Sequence, residues 1–225
     1  MILQVFKLCL PVIFSYIPLG FAFGILAASN GLSLAQSLGI SFFVYSGSAE
    51  FLLVGFISLN ESLFGIFIIL FLLSFRHFFY TLTLLNELRA LNFLRFYVIF
   101  SLSDESFALL STQKGFLNKF RKAQKSLASA LLCFFNQASW VLGSGLGYLF
   151  QKGSKLDFSG IEFSLSALFI VLACDAYKQN SDLKLLIFAL IIAFLGLLFV
   201  PKSFMLFVCL ALAFVFLFLR QKYAK

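Results

Sequence analysis

The sequence predicts an all-α polytopic membrane protein, and three observations carry that prediction. Apolar residues fill 62% of the 225 positions, charged residues only 12%, and mean hydropathy is +1.04, whereas soluble domains run about half apolar and about a quarter charged. The apolar residues gather in runs of the length a membrane helix needs, about 20 residues for about 30 Å of hydrocarbon. Nowhere do polar and apolar residues alternate with the period of two that a membrane barrel requires. An ordinary soluble domain, a disordered chain, a disulfide scaffold and a nucleic-acid module are thereby excluded. The net charge of +8 is spread over short loops and forms no folded basic face.

Eight segments qualify as spans: 8–29, 36–59, 62–85, 92–111, 126–150, 161–177, 183–199 and 202–220. The first contains Pro11 and Pro18, which predict a kink; its apolar run far exceeds a signal-peptide core, so it reads as a retained span. The last two are separated by little more than Pro201 and Lys202 and should form a tight hairpin; merged, they reduce the count to seven. Residues 1–225 form a single transmembrane domain with halves 1–111 and 126–225. The loop 112–125 joins them and holds Lys114, Lys119, Arg121, Lys122 and Lys125 without an acid, which marks it as cytoplasmic. Parity then puts Lys7, Lys178, Lys184, Arg220, Lys222 and Lys225 on that side, with both termini cytoplasmic, and Arg89, Arg95, Lys152, Lys155 and Lys202 on the other. Gly20 and Gly24 in the first span match Gly143 and Gly147 in the first span after the loop. Such small-residue pairs serve close helix packing, or mark two inverted repeats. Cys9, Cys133, Cys174 and Cys209 have no metal-ligand or redox spacing and read as small packing residues.

Polar residues inside spans are the informative ones, since a charge at mid-bilayer costs about 2.5–3.5 kcal/mol on insertion scales. YSGSAEF (45–51) places Tyr45, Ser46, Gly47, Ser48 and Glu50 near the middle of the second span. On a continuous helix Gln36, Gly39, Ser46, Gly47 and Glu50 share one face; a break there would free backbone groups to bind a solute. The third span holds Arg76, Tyr80 and Thr83 at i, i+4 and i+7, with His77 and Thr81 beside them. Arg76 either snorkels to the surface or grips a carboxylate through paired N–H donors, and His77 has the chemistry of a proton carrier. In the fourth span Asp104 and Glu105 are adjacent, so one pairs with Arg76 or one stays protonated. A carboxyl that loads and unloads a proton couples transport to a gradient; a fixed ion pair between helices is the structural alternative. Asn136 and Trp140 recur with Gly143 and Gly147 on one face of the fifth span, able to orient a small polar solute or to bond between helices. Asp157, Glu162 and Asp175 read as solvated helix-end acids.

YIPLGFAFGILAASNGLS (16–33), YSGSAEF (45–51), RHFFYTLTL (76–84), SDES (103–106), the W-x-x-G-x-x-x-G run from Trp140 to Gly147 and LDFSGIEFSLSALFIVL (156–172), taken in order, resemble the AzlC family. That resemblance implies the large subunit of a branched-chain amino acid exporter in a bacterial inner membrane, driven by the proton gradient and paired with a small hydrophobic AzlD-type subunit. The chain departs from the family pattern at Glu50, usually Gln, and at Ser74, usually Asn. Residues 176–225 match only by hydrophobicity.

The leading reading is therefore a multi-pass exporter of aliphatic amino acids with no cofactor, no metal, no nucleic-acid partner and no enzymatic activity. Its substrate site draws on Gly20, Gly24, Tyr45, Ser46, Gly47, Ser48, Glu50, Arg76, Tyr80, Asn136 and Trp140. Protons are carried among Glu50, His77, Asp104 and Glu105. An ion or small-solute channel and a non-transporting assembly subunit are the rivals.

Overall fold

The computed structural model describes residues 1–154 and 183–200 and twelve single positions between 170 and 216. The expected spans 161–177 and 202–220, the family-like stretch 156–172, and Lys155, Asp157, Glu162, Asp175, Lys202, Arg220, Lys222 and Lys225 lie wholly or mostly outside the described residues. Within them every element is a helix: α1 (Ile2–Ser29), α2 (Leu34–Phe43), α3 (Gly47–Ser58), α4 (Leu63–Ser74), α5 (Arg76–Thr83), α6 (Leu85–Arg89), α7 (Arg95–Phe100), α8 (Asp104–Thr112), α9 (Lys114–Leu117), α10 (Lys122–Gly153) and α11 (Leu183–Phe199). The chain divides into two compact units, one of Met1–Asn60 and Leu70–Leu165, the other of Glu61–Ile69 and Ser166–Lys225.

The frame of the first unit is α1 against α10. With 28 and 32 residues, at about 1.5 Å per residue, each is longer than a bilayer core. They run parallel: Cys9 Sγ meets the Leu132 carbonyl at 3.7 Å, the Tyr16 and Trp140 rings meet edge to face at 5.4 Å, and Gly24 meets Ser144 and Tyr148. Their glycines interlock. A Cβ on Gly20 would lie 2.6 Å from the Trp140 carbonyl oxygen, and one on Gly143 2.5 Å from that of Ile17. Gly24 and Gly147 sit against the facing backbone in the same way, so the two helices approach as only small residues allow.

The second and fourth expected spans are not continuous helices. A capping box of Ser33 and Gln36 starts α2, which then runs antiparallel to α10. Leu38 lies beside Gly145, Ser41 Oγ donates to Ser144 Oγ at 2.8 Å, and the Gln137 amide donates to the Phe42 carbonyl at 3.0 Å. After a break at Val44–Ser46 the chain turns back as α3: Gly47 lies against the Trp140 ring, while Phe51 packs edge to face on Phe23 at 5.7 Å, toward the end where α1 finishes. With 10 and 12 residues, α2 and α3 reach about 15 and 18 Å, half a bilayer each.

A second hairpin enters from the opposite end. Glu87 pairs with Lys114 at 2.5 Å, and the Asn92 N–H donates to Ser126 Oγ at 3.0 Å. The segment from 92 to 111 therefore starts and finishes near the beginning of α10, with α7 entering, a break at Ser101–Ser103, and α8 returning. Two expectations are corrected by this reversal. Gln36, Gly39, Ser46, Gly47 and Glu50 do not share a helical face, because the chain doubles back between them. Arg89 and Arg95 lie at the same end as loop 112–125, because the segment joining them does not cross. Among the described residues, one end of the first unit then carries Lys7, Arg89, Arg95, Lys114, Lys119, Arg121, Lys122 and Lys125, and the other Lys152.

Polarity is turned inward. Ser37, Ser41, Glu50, Ser106, Asn136 and Ser144 have no exposure at all, while Phe14, Leu63 and Phe93 are largely exposed. Lipid solvates such an exterior, and the polar groups must satisfy one another inside. The third expected span runs over Leu63–Thr83 as a 21-residue helical stretch, with only a turn at Phe75, itself in helical conformation, between α4 and α5. In the second unit, Cys209 Sγ reaches the Ile192 carbonyl at 3.7 Å and Phe188 stacks on Phe216 at 3.7 Å; the expected turn at Pro201 and Lys202 lies outside the described residues.

Candidate functional site

The two broken hairpins bring their tips to the middle of α1 and α10, where Tyr16, Asn136, Gln137 and Trp140 meet them. Gln137 ties the tips: its amide N–H binds the Phe42 carbonyl at the first break, and its carbonyl accepts from the Tyr97 hydroxyl of α7 at 2.8 Å. Exposed carbonyls at a helix end need such partners away from water.

The tips differ in how their new helices begin. At the first, Tyr45 holds φ at +41°, a left-handed conformation uncommon for a bulky residue and characteristic of functional turns. Ser46 follows in extended conformation as the N-cap of α3, but its side chain caps nothing. Its hydroxyl and that of Tyr45 are buried without hydrogen-bond partners. At the second tip, Ser103 caps α8 by accepting from the Ser106 N–H at 3.2 Å.

Three polar clusters connect the tips to the frame. Glu50, in the first turn of α3, is fully buried; its Oε2 accepts from Trp140 Nε1 at 3.0 Å and from Ser41 Oγ at 3.3 Å. Ser41 also reaches Ser144, whose hydroxyl returns to the Trp140 carbonyl at 2.9 Å. Around the other tip, the Tyr16 hydroxyl bonds Ser103 Oγ at 2.9 Å and the Glu105 carboxylate, and Ser106 Oγ accepts from the Asn136 amide at 3.0 Å. Arg76 stands between the tips: Nη1 pairs with Asp104 Oδ2 at 2.9 Å, and Nη2 donates to Ser48 Oγ at 3.2 Å. It thus bridges the first turns of α3 and α8. Of the three carboxyls near the tips, only Asp104 touches the guanidinium, while Glu50 is bonded to Trp140 and Ser41 and Glu105 to Tyr16.

Of the residues singled out in the sequence, Tyr45, Ser46, Gly47, Ser48, Glu50, Arg76, Asp104, Glu105, Asn136 and Trp140 are brought together at these tips. Tyr80 stacks on Phe107, one turn along α8 from Asp104, with ring centroids 4.4 Å apart. His77 turns along its own helix, its Nδ1 bonded to the Ser74 carbonyl at 3.0 Å. Gly20 and Gly24 face the α10 backbone, where contact leaves no room for a solute. Tyr16, Ser41, Ser103, Ser106 and Ser144 went unrecognised as site residues. A signal for some of them existed in the repeated Ser-x-Ser-x-Glu at 46–50 and 101–105, one copy at each break. Among the described residues no cluster of His, Cys, Asp and Glu is built to hold a metal ion.

The AzlC protein family profile matches residues 11–153. A membrane protein of Helicobacter pylori strain 26695 is 28% identical over 224 residues, covering 98% of this chain and 96% of the relative. The branched-chain amino acid transport protein AzlC of Bacillus subtilis is 27% identical over 175 residues, 78% of this chain and 67% of its own. The inner membrane protein YgaZ of Escherichia coli is 27% identical, with 77% and 72% covered. No solved structure matches the chain.

Proposed function

Because the chain belongs to the AzlC family, matched over residues 11–153, we propose that it is the large subunit of a secondary transporter that exports branched-chain and other aliphatic amino acids from bacteria, coupled to protons. A role in membrane transport follows from the family; substrate, direction and coupling are the proposal. The Bacillus relative bears the name of a branched-chain amino acid transport protein, and the Escherichia relative that of an inner membrane protein. The basic end of the first unit faces the cytoplasm in this reading, by the excess of Lys and Arg in its short loops. A small AzlD-type subunit completes the carrier.

The observation that supports the reading is Arg76, which bridges two half-helix starts at the middle of the α1–α10 frame through Asp104 and Ser48. Arg76 receives the substrate carboxylate, and Glu50, whose second oxygen has no partner, receives the ammonium. Buried charges must be compensated, and the surplus carboxyls Glu50 and Glu105 are compensated by protons when no ammonium is present. A proton carried on one of them through the transport cycle couples flux to the gradient. An aliphatic pocket separates methylene homologues by only about 1–3 kcal/mol each, so leucine, isoleucine and valine all serve as substrates.

Counterflow of labelled leucine into leucine-loaded proteoliposomes, with and without the small subunit, tests this; absence of exchange for every aliphatic amino acid defeats it. Arg76→Ala should lower exchange by about 100-fold or more, the loss expected when a substrate carboxylate loses its charged, paired N–H donors, with membrane insertion intact. Unchanged exchange in that variant removes Arg76 from the site.

A further inference from the structure

The two helix starts at the site are unequal: Ser103 caps α8, and Ser46 leaves α3 uncapped. Helix geometry leaves the first amides of α3, those of Gly47, Ser48 and Ala49, without intrahelical acceptors. The Ser46 side chain does not cover them, and its hydroxyl, in a residue only 6% exposed, has no partner. The Arg76 guanidinium lies directly beside this start, bonded to Ser48 Oγ. A helix start and a guanidinium side by side are the two standard donors to a carboxylate. Asp104 occupies the guanidinium by one prong: Nη1 to Oδ2 is made, whereas Arg76 Nε and Asp104 Oδ1 are both buried without partners.

We propose that the start of α3 and Arg76 form one carboxylate seat, which Asp104 fills when no substrate is bound and vacates when a substrate carboxylate arrives. This deepens the amino acid transport reading and rests on it. The exchange conserves charge, because Arg76, half-buried with Asp104, trades one carboxylate for another and is never left bare. Asp104 is not stranded either, since it is the first residue of α8 and remains at a helix start already capped by Ser103. The swap breaks the bridge between two half-helices that enter from opposite ends. Substrate thereby releases the α8 tip, and an empty carrier keeps it tied.

The experiment measures equilibrium binding of labelled L-leucine to the full chain in nanodiscs, alone and with its small partner subunit. Asp104→Asn, which withdraws the competitor, should tighten binding about tenfold. Arg76→Ala should abolish it, and L-leucinol, which lacks the carboxylate, should not compete. If Asp104→Asn binds leucine no better than wild type while Arg76→Ala still loses binding, the seat exchange is overturned and the transport reading stands. If the wild type binds no aliphatic amino acid, the transport reading falls and the exchange with it. Hydrogen exchange on the unmutated chain needs no variant to fold: leucine should speed exchange at 103–107 and slow it at 47–50. Slowing at both tips together, or no change at 103–107, overturns the proposal.

Discussion

The hairpins α2–α3 and α7–α8 are built alike and finished differently. Each is a pair of short helices with a three-residue break, each enters halfway, and each brings a Ser-rich turn and acids to the centre. The α8 start is closed on itself: Ser103 caps it, Tyr16 bonds Ser103 and Glu105, and Asn136 bonds Ser106. The α3 start is open, with Ser46 uncapping and unpartnered and Tyr45 in a left-handed turn. One start is thus capped and the other uncapped, and Arg76 joins them. In a molecule whose exterior is solvated by hydrocarbon, unfinished hydrogen bonding at a helix start is costly. Such orphans occur on both sides, at Tyr45, Ser46 and Glu50 and at Asp104 and Asn136, but only the α3 start also lacks a side-chain cap.

That contrast can be broken most severely at Glu50, whose carboxyl has only neutral donors. Glu50→Gln keeps an oxygen for Trp140 and Ser41 but removes the titratable group. Leucine exchange at equal pH should weaken, because the ammonium loses its carboxylate, and accumulation driven by an imposed pH gradient should disappear; flux assays with and without that gradient separate the two effects. Gradient-driven uptake at the wild-type level would take the proton off Glu50. The frame that holds both tips is next: Gly24→Ala drives a methyl group into the α10 backbone and should cost about 1–3 kcal/mol. Gly39→Ala, with open space around it, should be neutral or slightly stabilising; thermal unfolding in detergent compares the two. Caps test the asymmetry itself. Ser103→Ala should lose about 1 kcal/mol as a cap is removed, whereas Ser46→Ala, with no cap to lose, should leave the melting temperature unchanged and weaken leucine binding. Equal destabilisation by both would mean the two starts are equivalent after all.

The smallest effect lies outside the membrane core. The hydrogen bond from Lys114 holds the Glu87 carboxyl below its ordinary range. A lowered folded-state value means that the link stabilises the fold above the ordinary carboxylate pKa and is lost as pH falls through the lowered one. For so exposed a pair the gain is at most about 1 kcal/mol. Melting temperatures of wild type and Glu87→Gln should therefore differ slightly at neutral pH and converge in acid.

Much of the site was legible in the sequence because charge in an apolar run is conspicuous. Arg76, Asp104, Glu105, Glu50, Asn136 and Trp140 stand out against Phe and Leu without any knowledge of their neighbours. Tyr16 and Ser41 do not, since a tyrosine near a proline and a serine on an amphipathic turn are ordinary in membrane helices. Their roles come from Glu105 and Glu50, which lie 89 and 9 residues away. The orientation of Arg89 and Arg95 was misread for a related reason: counting spans assigns every apolar run of sufficient length a crossing.

Composition and pattern alone determined the solvent, the helical class, the basic end and the residues too polar to be there for packing. Those properties follow from transfer free energies, which each residue or window carries with it. Whether a run of twenty apolar residues continues straight or turns back at its middle is decided elsewhere. A broken backbone in hydrocarbon is tolerated only where other segments supply the missing hydrogen bonds, and here α10 and α1 supply them through Gln137, Trp140, Asn136 and Tyr16. Tertiary structure alone assembled that set, and with it the open tip and the arginine beside it.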